Sequence, residues 1–370
     1  MKIVKATESD APELTKFFAC QILHGPVDIQ IVRPGHFFDQ YRLQSSEFDV
    51  FVLKTNENEI RGMATIIYRK AFIAGNETYI GYCTDLRVAP DRETILTWTK
   101  HFLPVLQDAM KERNCKYFFS VVVPQDSRAY NALVRPRSAR RNIPRFYMLA
   151  RFELVTVMGR LPWATKPLST IDIQRGENKD FEPLLEYLQK SSQERTLSYV
   201  YTPELLRERL TRWPGFSIES FFIARDSKGK IIGCVAPWDS FEVQNFVVRE
   251  YHGFTKTLKT AVGLASYTGI AQALPDLNKS LNFMYLTHLY ADNPDIFYSL
   301  LYESYEIARP NKSLVYGHFV NHLTTLPPRP FLSTTLPLAV YSLLPPDQPL
   351  PDFLRMSRLV AAPDIEVAFI

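Results

Sequence analysis

Hydrophobic positions in the first half of the chain switch between two periods. Residues 2–5 (KIVK) predict a short strand, and Thr7-Glu-Ser-Asp10 then supplies the hydroxyl and acidic groups of a helix start. The following DAPELTKFFACQIL places its apolar residues on one helical face. A loop is expected around His24-Gly-Pro26 and Arg33-Pro-Gly35, then a helix over HFFDQYRLQ. Three strand-like runs come next, at 48–55, 60–73 and 77–90, divided by the polar turns Asn56-Glu-Asn58 and Gly75-Asn76. Strands this closely spaced predict an antiparallel meander. Residues 93–113 return to helical spacing with Pro104 inside, which predicts a kink or a split. A buried strand at 116–123, a short Asp-capped helix at 126–134 and a strand at 146–159 close the half.

The segment GRLPWATKPLST has two prolines and little periodicity, so its residues 161–170 are the expected linker between domains of residues 1–160 and 171–370. The second half repeats the element order. A strand (IDIQRG) and two helices (ENKDFEPLLEYLQKSSQ and TPELLRERLTRW) lead into a hairpin around Lys228-Gly-Lys230. The stretch VVREYHGF…AQAL predicts a helical insertion. Strands at 281–291 and 313–321 flank a helix opened by Asn293-Pro-Asp295. LAVYSLL adds a strand within the proline-rich tail, and DIEVAFI (364–370) is expected at an edge. The two halves share an architecture, but their residues do not read as alike, so the repeat is taken as architectural only.

Composition narrows the class. The 370 residues are 46% hydrophobic and 22% charged, as expected for a globular chain with a large core. The net charge of +4 is too modest to imply nucleic acid by itself. It is uneven, at roughly +6 over the first ~165 residues and roughly −2 over the rest. Four cysteines without CxxC spacing read as structural thiols in a reducing cytoplasm. No signal peptide and no bilayer-spanning run is recognised, which makes the cytoplasm the expected location. No HExxH, GxSxG or GKS/T motif occurs.

Two stretches carry candidate chemistry. In TDLRVAPDRETILTW (84–98), Leu86, Val88 and Pro90 end a strand in an L-x-V-x-P pattern, Arg92 opens the turn, and a helix follows. In VVVPQDSRAYNALV, Asp126 and Ala129 open the next helix with the spacing of an N-x-x-A motif. With the element order, these resemble the GNAT acyltransferase superfamily in a tandem form, across nearly the whole chain. The resemblance implies an α/β fold with a mixed sheet and two GNAT-like domains in tandem. It implies transfer of an acyl group from acetyl-CoA or a longer acyl-CoA to a small-molecule or peptide amine. The implied cofactor-binding residues are Leu86, Arg87 and Val88 along the pantetheine arm, with Arg92, Thr94 and Asp126 further on. Asp85 is the implied base and Tyr130 the group that assists the departing thiolate.

The chain departs from the family in places. Glu93, Thr94, Ile95 and Leu96 stand where a glycine-rich loop would admit a pyrophosphate, and Leu133 stands where a tyrosine is usual. Strand alternation puts Asp85 on the face of Cys83 and Arg87, opposite Tyr82, Thr84, Leu86 and Val88. A purely structural Asp85 would pair with Arg87 or Lys100, or face a loop. Arg140 and Arg141, in the cluster Arg135–Arg145, could bind the phosphates in place of the loop, sit in a solvated loop, or meet an acidic partner. His288 could line a pocket as a base. The alternatives to an enzyme are an inactive GNAT-like protein that binds a ligand or partner and, on the arginine cluster alone, a nucleic-acid-associated protein.

Overall fold

The computed structural model describes residues 1–124, 130, 134, 143–168, 170–309, 311–319, 329–355 and 362–370. The first half contains β1 (Lys2–Lys5), α1 (Ala11–Ala19), β2 (Ile22–Leu23), β3 (Val27–Val32), α2 (Asp39–Arg42), β4 (Phe48–Lys54), β5 (Ile60–Ile73), β6 (Asn76–Val88), α3 (Arg92–Glu112), β7 (Tyr117–Val122) and β8 (Arg145–Arg160). The second half contains β9 (Asp172–Arg175), α4 (Phe181–Gln193), α5 (Pro203–Arg212), β10 (Phe222–Arg225), β11 (Ile231–Trp238), β12 (Asn245–Tyr251), α6 (Phe254–Ser266), β13 (Ser280–Leu281), β14 (Phe283–Ala291), α7 (Pro294–Ala308), β15 (Ser313–Phe319), β16 (Phe331–Leu344) and α8 (Asp352–Arg355). Among the described residues no helix is long and apolar enough to cross a membrane.

A single twelve-stranded sheet runs β1-β4-β5-β6-β7-β16-β8-β15-β14-β11-β10-β9. The meander β4–β5–β6 is antiparallel, as the closely spaced runs predict. The last strand of each half sits beside the other half. β8 pairs with β15, while β16 pairs with β7. The strand at 146–159 therefore crosses over, and β8 and β16 pair with each other at the middle of the sheet. Such exchange needs long-range pairing that local periodicity does not encode.

Helix α1 packs Leu14 and Phe18 on one face of the first half, against Val50, Val52 and Ile67. Helix α3 covers the opposite face with Trp98, Leu106 and Ala109, and it runs through Pro104 as one helix. In the second half α7 packs Ile296, Leu300 and Leu301 on one face, and α4 and α5 feed the core on the other.

Three expectations are corrected. The segment expected as a loop before Arg33 forms β2 and β3, and the expected helical insertion begins as strand β12. These strands build a second sheet, β13-β12-β3-β2, that ties the halves together. Residues 364–370, expected at a sheet edge, instead end in a short helical turn whose Val367, Ala368 and Phe369 are buried in the core.

Candidate functional site

Strands β6 and β7 are parallel, but their ladder holds only for Ile80–Tyr82 against Tyr117–Phe119. Beyond Tyr82 no described strand pairs with the β7 side of β6. On its other edge β6 stays paired with β5, with a register shift in which Thr65 faces Thr84 and Met63 faces Arg87. The extra residue makes a bulge, and Asp85 adopts a left-handed φ of 53°. Aspartate and histidine are among the non-glycine residues that tolerate this region best.

The bulge overturns the simple alternation. Cys83 packs toward α3 with Leu106, and Val88 packs there with Trp98. Tyr82 joins the α1 face, and Arg87 lays its guanidinium 4.4 Å from the Phe18 ring on that face. Asp85 is on the α1 face too. Its carboxylate accepts hydrogen bonds from Arg33 at 2.6 Å and from the Tyr41 hydroxyl at 2.7 Å. Its structural partner is thus neither Arg87 nor Lys100. Burial opposes ionisation of Asp85, but the charges of Arg33 and Arg87 and the hydrogen bonds outweigh it and hold the carboxyl below its usual range. A carboxylate held so is a weak proton acceptor, so this arrangement does not suit the role of base.

The other expected residues have definite places. Leu86 is exposed just past the bulge, and Arg92 is exposed in the first turn of α3. Thr94 is buried, and its backbone N–H donates at 2.8 Å to Asp91, which also meets Arg61 at 2.8 Å. Asp91 is lowered to about 2, chiefly by the Thr94 backbone N–H. The helix start that could receive a pyrophosphate is therefore capped by the chain's own carboxylate. Tyr130 lies near Tyr341 of β16, whose phenol is raised by burial and by that neighbour. Asp126, Arg140 and Arg141 lie outside the described residues.

The second half repeats the device. β14 and β15 are parallel only from Phe283–Tyr285 against Ser313–Val315, and β14 bulges at His288, with φ 49°. Laid on each other, the bulges read Tyr82-Cys-Thr84-Asp85-Leu86 and Tyr285-Leu-Thr287-His288-Leu289. The repeat thus has a residue-level core, contrary to the expectation of likeness in architecture alone. Three identities in five residues are too few to stand out before the bulges are superposed.

Each bulge residue meets a buried arginine stacked on aromatic rings. Arg33 faces Phe18, Phe37 and Tyr41 at 4.2–4.9 Å. Arg209 faces Tyr199, Tyr201 and Trp213 at 4.0–5.5 Å. An Arg209 N–H donates to His288 Nε2 at 2.8 Å, which leaves the proton on Nδ1 to donate to the Thr287 hydroxyl at 3.0 Å. Burial and then the Arg209 charge push His288 well below its ordinary range. It is a neutral structural imidazole, and its lone pair is spent on Arg209, which corrects its reading as a base.

The second cleft is filled. Residues 362–370 lie against β14 and β15, where a Cβ on Gly317 would come within 3.0 Å of Val367. The same segment carries Glu366 to the foot of the first cleft. There it lines a small chamber with Tyr82 and Phe119, the last residues of the β6–β7 ladder. The Glu366 side chain is 10% exposed, and its nearest cation, Arg209 Nη1, is 3.8 Å away. Burial raises its carboxyl to about 7. Arg209 and Arg69 oppose that shift, and Asp364 adds to it. Sequence reasoning missed Arg33, Tyr41, Arg209 and Glu366. Each is far along the chain from the strand end it serves and belongs to no motif.

No protein-family profile and no curated protein matches the sequence. Solved structures match its shape. N-myristoyltransferase of Saccharomyces cerevisiae with bound myristoyl-CoA aligns with 92% of this chain and 82% of its own, at TM-score 0.55 and 11% identity. A GCN5-related N-acetyltransferase of Sphaerobacter thermophilus aligns over 92% and 94%, at 0.50 and 10% identity. One from Anabaena variabilis aligns over 92% and 72%, at 0.50 and 12% identity. The chain has the GNAT fold, in a two-part arrangement like that of N-myristoyltransferase.

Proposed function

We propose that the protein is an acyl-CoA-dependent N-acyltransferase working at the first cleft. The observation that carries this reading is the β6 edge left without a strand partner past Tyr82, with the buried Glu366 at its foot. The backbone of Leu86–Val88 would pair with the pantetheine arm as an added strand. Arg140 and Arg141 would hold the phosphates, because Asp91 already caps the turn before α3.

Glu366 takes the place first assigned to Asp85. As the acceptor amine attacks the thioester carbon, Glu366 removes its proton, and a carboxyl near 7 suits that task at neutral pH. Tyr130 would protonate the departing thiolate. The Arg33–Asp85–Tyr41 group holds the bulge and thereby the shape of the cleft.

The reading is tested by calorimetric titration with acetyl-CoA and with myristoyl-CoA, beside an Arg140→Ala/Arg141→Ala variant and a Glu366→Gln variant. Micromolar binding of at least one acyl-CoA is expected. The arginine changes should weaken it, and Glu366→Gln should keep binding while losing turnover. Failure to bind either compound overturns the reading. Binding without transfer to any amine would instead favour a ligand-binding protein of the same fold, an alternative that the capped start of α3 supports.

A further inference from the structure

Between the halves lies a cavity of about 230 Å³, at the small end of ligand sites. Its walls come from the loop after α2, from Tyr68–Lys70 of β5, from Tyr199 and from the inner face of α5. It shares Gln44, Arg69 and Tyr199 with the chamber that holds Glu366.

The lining is basic. Arg42, Arg69, Lys70, Arg209 and Arg212 face Glu47 and Glu208. Most of these charges are already paired. Arg42 meets Glu8 and Asp39, Arg212 meets Glu208, Lys70 is 3.9 Å from Glu77, and Glu47 is held by Arg113 and the Tyr79 hydroxyl. Two guanidinium groups keep capacity for an anion, although Arg209 has Glu366 at 3.8 Å from its Nη1. Arg69 donates to the Leu197 carbonyl at 2.7 Å and has no carboxylate within ion-pair distance among the described residues. Arg209 is 1% exposed, and its Nε and Nη2 have no hydrogen-bond partner among the described residues. Both guanidinium groups stack on Tyr199, at 3.9 and 4.0 Å.

A buried guanidinium with unmet donors is costly, and an anionic ligand is the partner that satisfies both its charge and its fork of N–H groups. We infer that this cavity is the acceptor site and that it takes a small primary amine which also carries a carboxylate or phosphate group. The anion is held by Arg69 and Arg209, and the amine points through the shared wall toward Glu366. The assignment rests on the acyltransferase reading for its chemistry, but its anion site can be tested apart from it.

The test compares matched amines with and without the anion: butylamine against 4-aminobutyrate, and ethanolamine against phosphoethanolamine. The full chain is assayed with acetyl-CoA and myristoyl-CoA by mass spectrometry, and each amine is also titrated calorimetrically. The anionic member of at least one pair is expected to be favoured by about 30-fold or more in kcat/KM and in affinity, as fits a charge-assisted fork. Arg69→Gln should remove most of that preference, read as the ratio between the two members of a pair. Arg209→Lys, which keeps the charge but loses the fork, should reduce it in the same direction. Equal use and equal binding of both members, or a preference untouched by Arg69→Gln, overturns the inference with the acyltransferase reading intact. Binding of the anionic amine that depends on Arg69, without acylation of any amine, upholds the site and removes the acyltransferase reading.

Discussion

The bulges of β6 and β14 are one backbone device with two electrostatic solutions. At the first, a buried arginine meets an aspartate, and the charges cancel. At the second, a buried arginine meets a neutral histidine, its carboxylate neighbour Glu366 comes from elsewhere at 3.8 Å, and two of its donor nitrogens stay unmet. The clefts that follow differ in the same way. The second is filled by residues 362–370, and the first is bordered by Glu366, which that filling segment delivers. The difference teaches that a duplicated element can keep its geometry while one copy supplies shape and the other supplies unmet hydrogen-bond donors. What separates them is whether the residue at the left-handed position carries a charge opposite to its arginine.

The largest expected effect breaks the first copy. Arg33→Met strands the Asp85 carboxylate in the α1 face and should cost about 3–5 kcal/mol of stability, read from chemical denaturation. Arg209→Met removes stacking, the hydrogen bonds to His288 and Tyr201 and the 3.8 Å contact to Glu366 but also relieves unmet donors, and should cost about 1–2 kcal/mol. Equal costs would dissolve the distinction between an arginine hydrogen-bonded to its carboxylate and one hydrogen-bonded to a neutral histidine.

Glu366→Gln comes next. Its kcat/KM should fall about 10²- to 10³-fold, and the limb of the pH–rate profile near 7 should vanish. An unchanged limb would move the base elsewhere. The same substitution should change stability in a pH-dependent way. Folding raises the Glu366 carboxyl from 4.5 to about 7, so the native state binds the proton more tightly. That contribution is fully present below 4.5 and is lost as pH rises through about 7. Glutamine escapes the loss, so the variant should be about 1–3 kcal/mol more stable than the parent at pH 8 and no more stable at pH 4.5, by thermal or urea unfolding.

The smallest effect concerns the two helix starts past the bulges, both closed by a side chain: Asp91 before α3 and Asn293 before α7. Asp91→Ser keeps a cap and removes a like charge beside the proposed phosphates. Stability should change by less than about 1 kcal/mol, while acyl-CoA affinity rises a few-fold in calorimetry. Weakened affinity would place the phosphates away from this turn.

Much of the fold was legible along the chain. Closely spaced apolar runs marked β4, β5 and β6, helical spacing marked α3, Asn293 marked the start of α7, and the element order led to the GNAT fold that the solved structures share. The site was legible only in part. The L-x-V-x-P strand end at Leu86–Pro90 located the cleft, because a strand end and a proline break are local events. Asp85 was noticed, but the face it turns to was not, since a bulge moves a side chain to the other face without leaving any mark in the pattern of apolar residues.

The sequence by itself determined the elements, the tandem order and the position of the first cleft. All of these follow from side-chain periodicity and backbone breakers within a few residues. Only the tertiary structure decided that the halves exchange their last strands, that Arg33 meets Asp85 while Arg209 meets His288, and that Glu366 arrives beside Tyr82. Those outcomes depend on long-range register and on the charge and burial that packing imposes, and neither is written in any short stretch of chain.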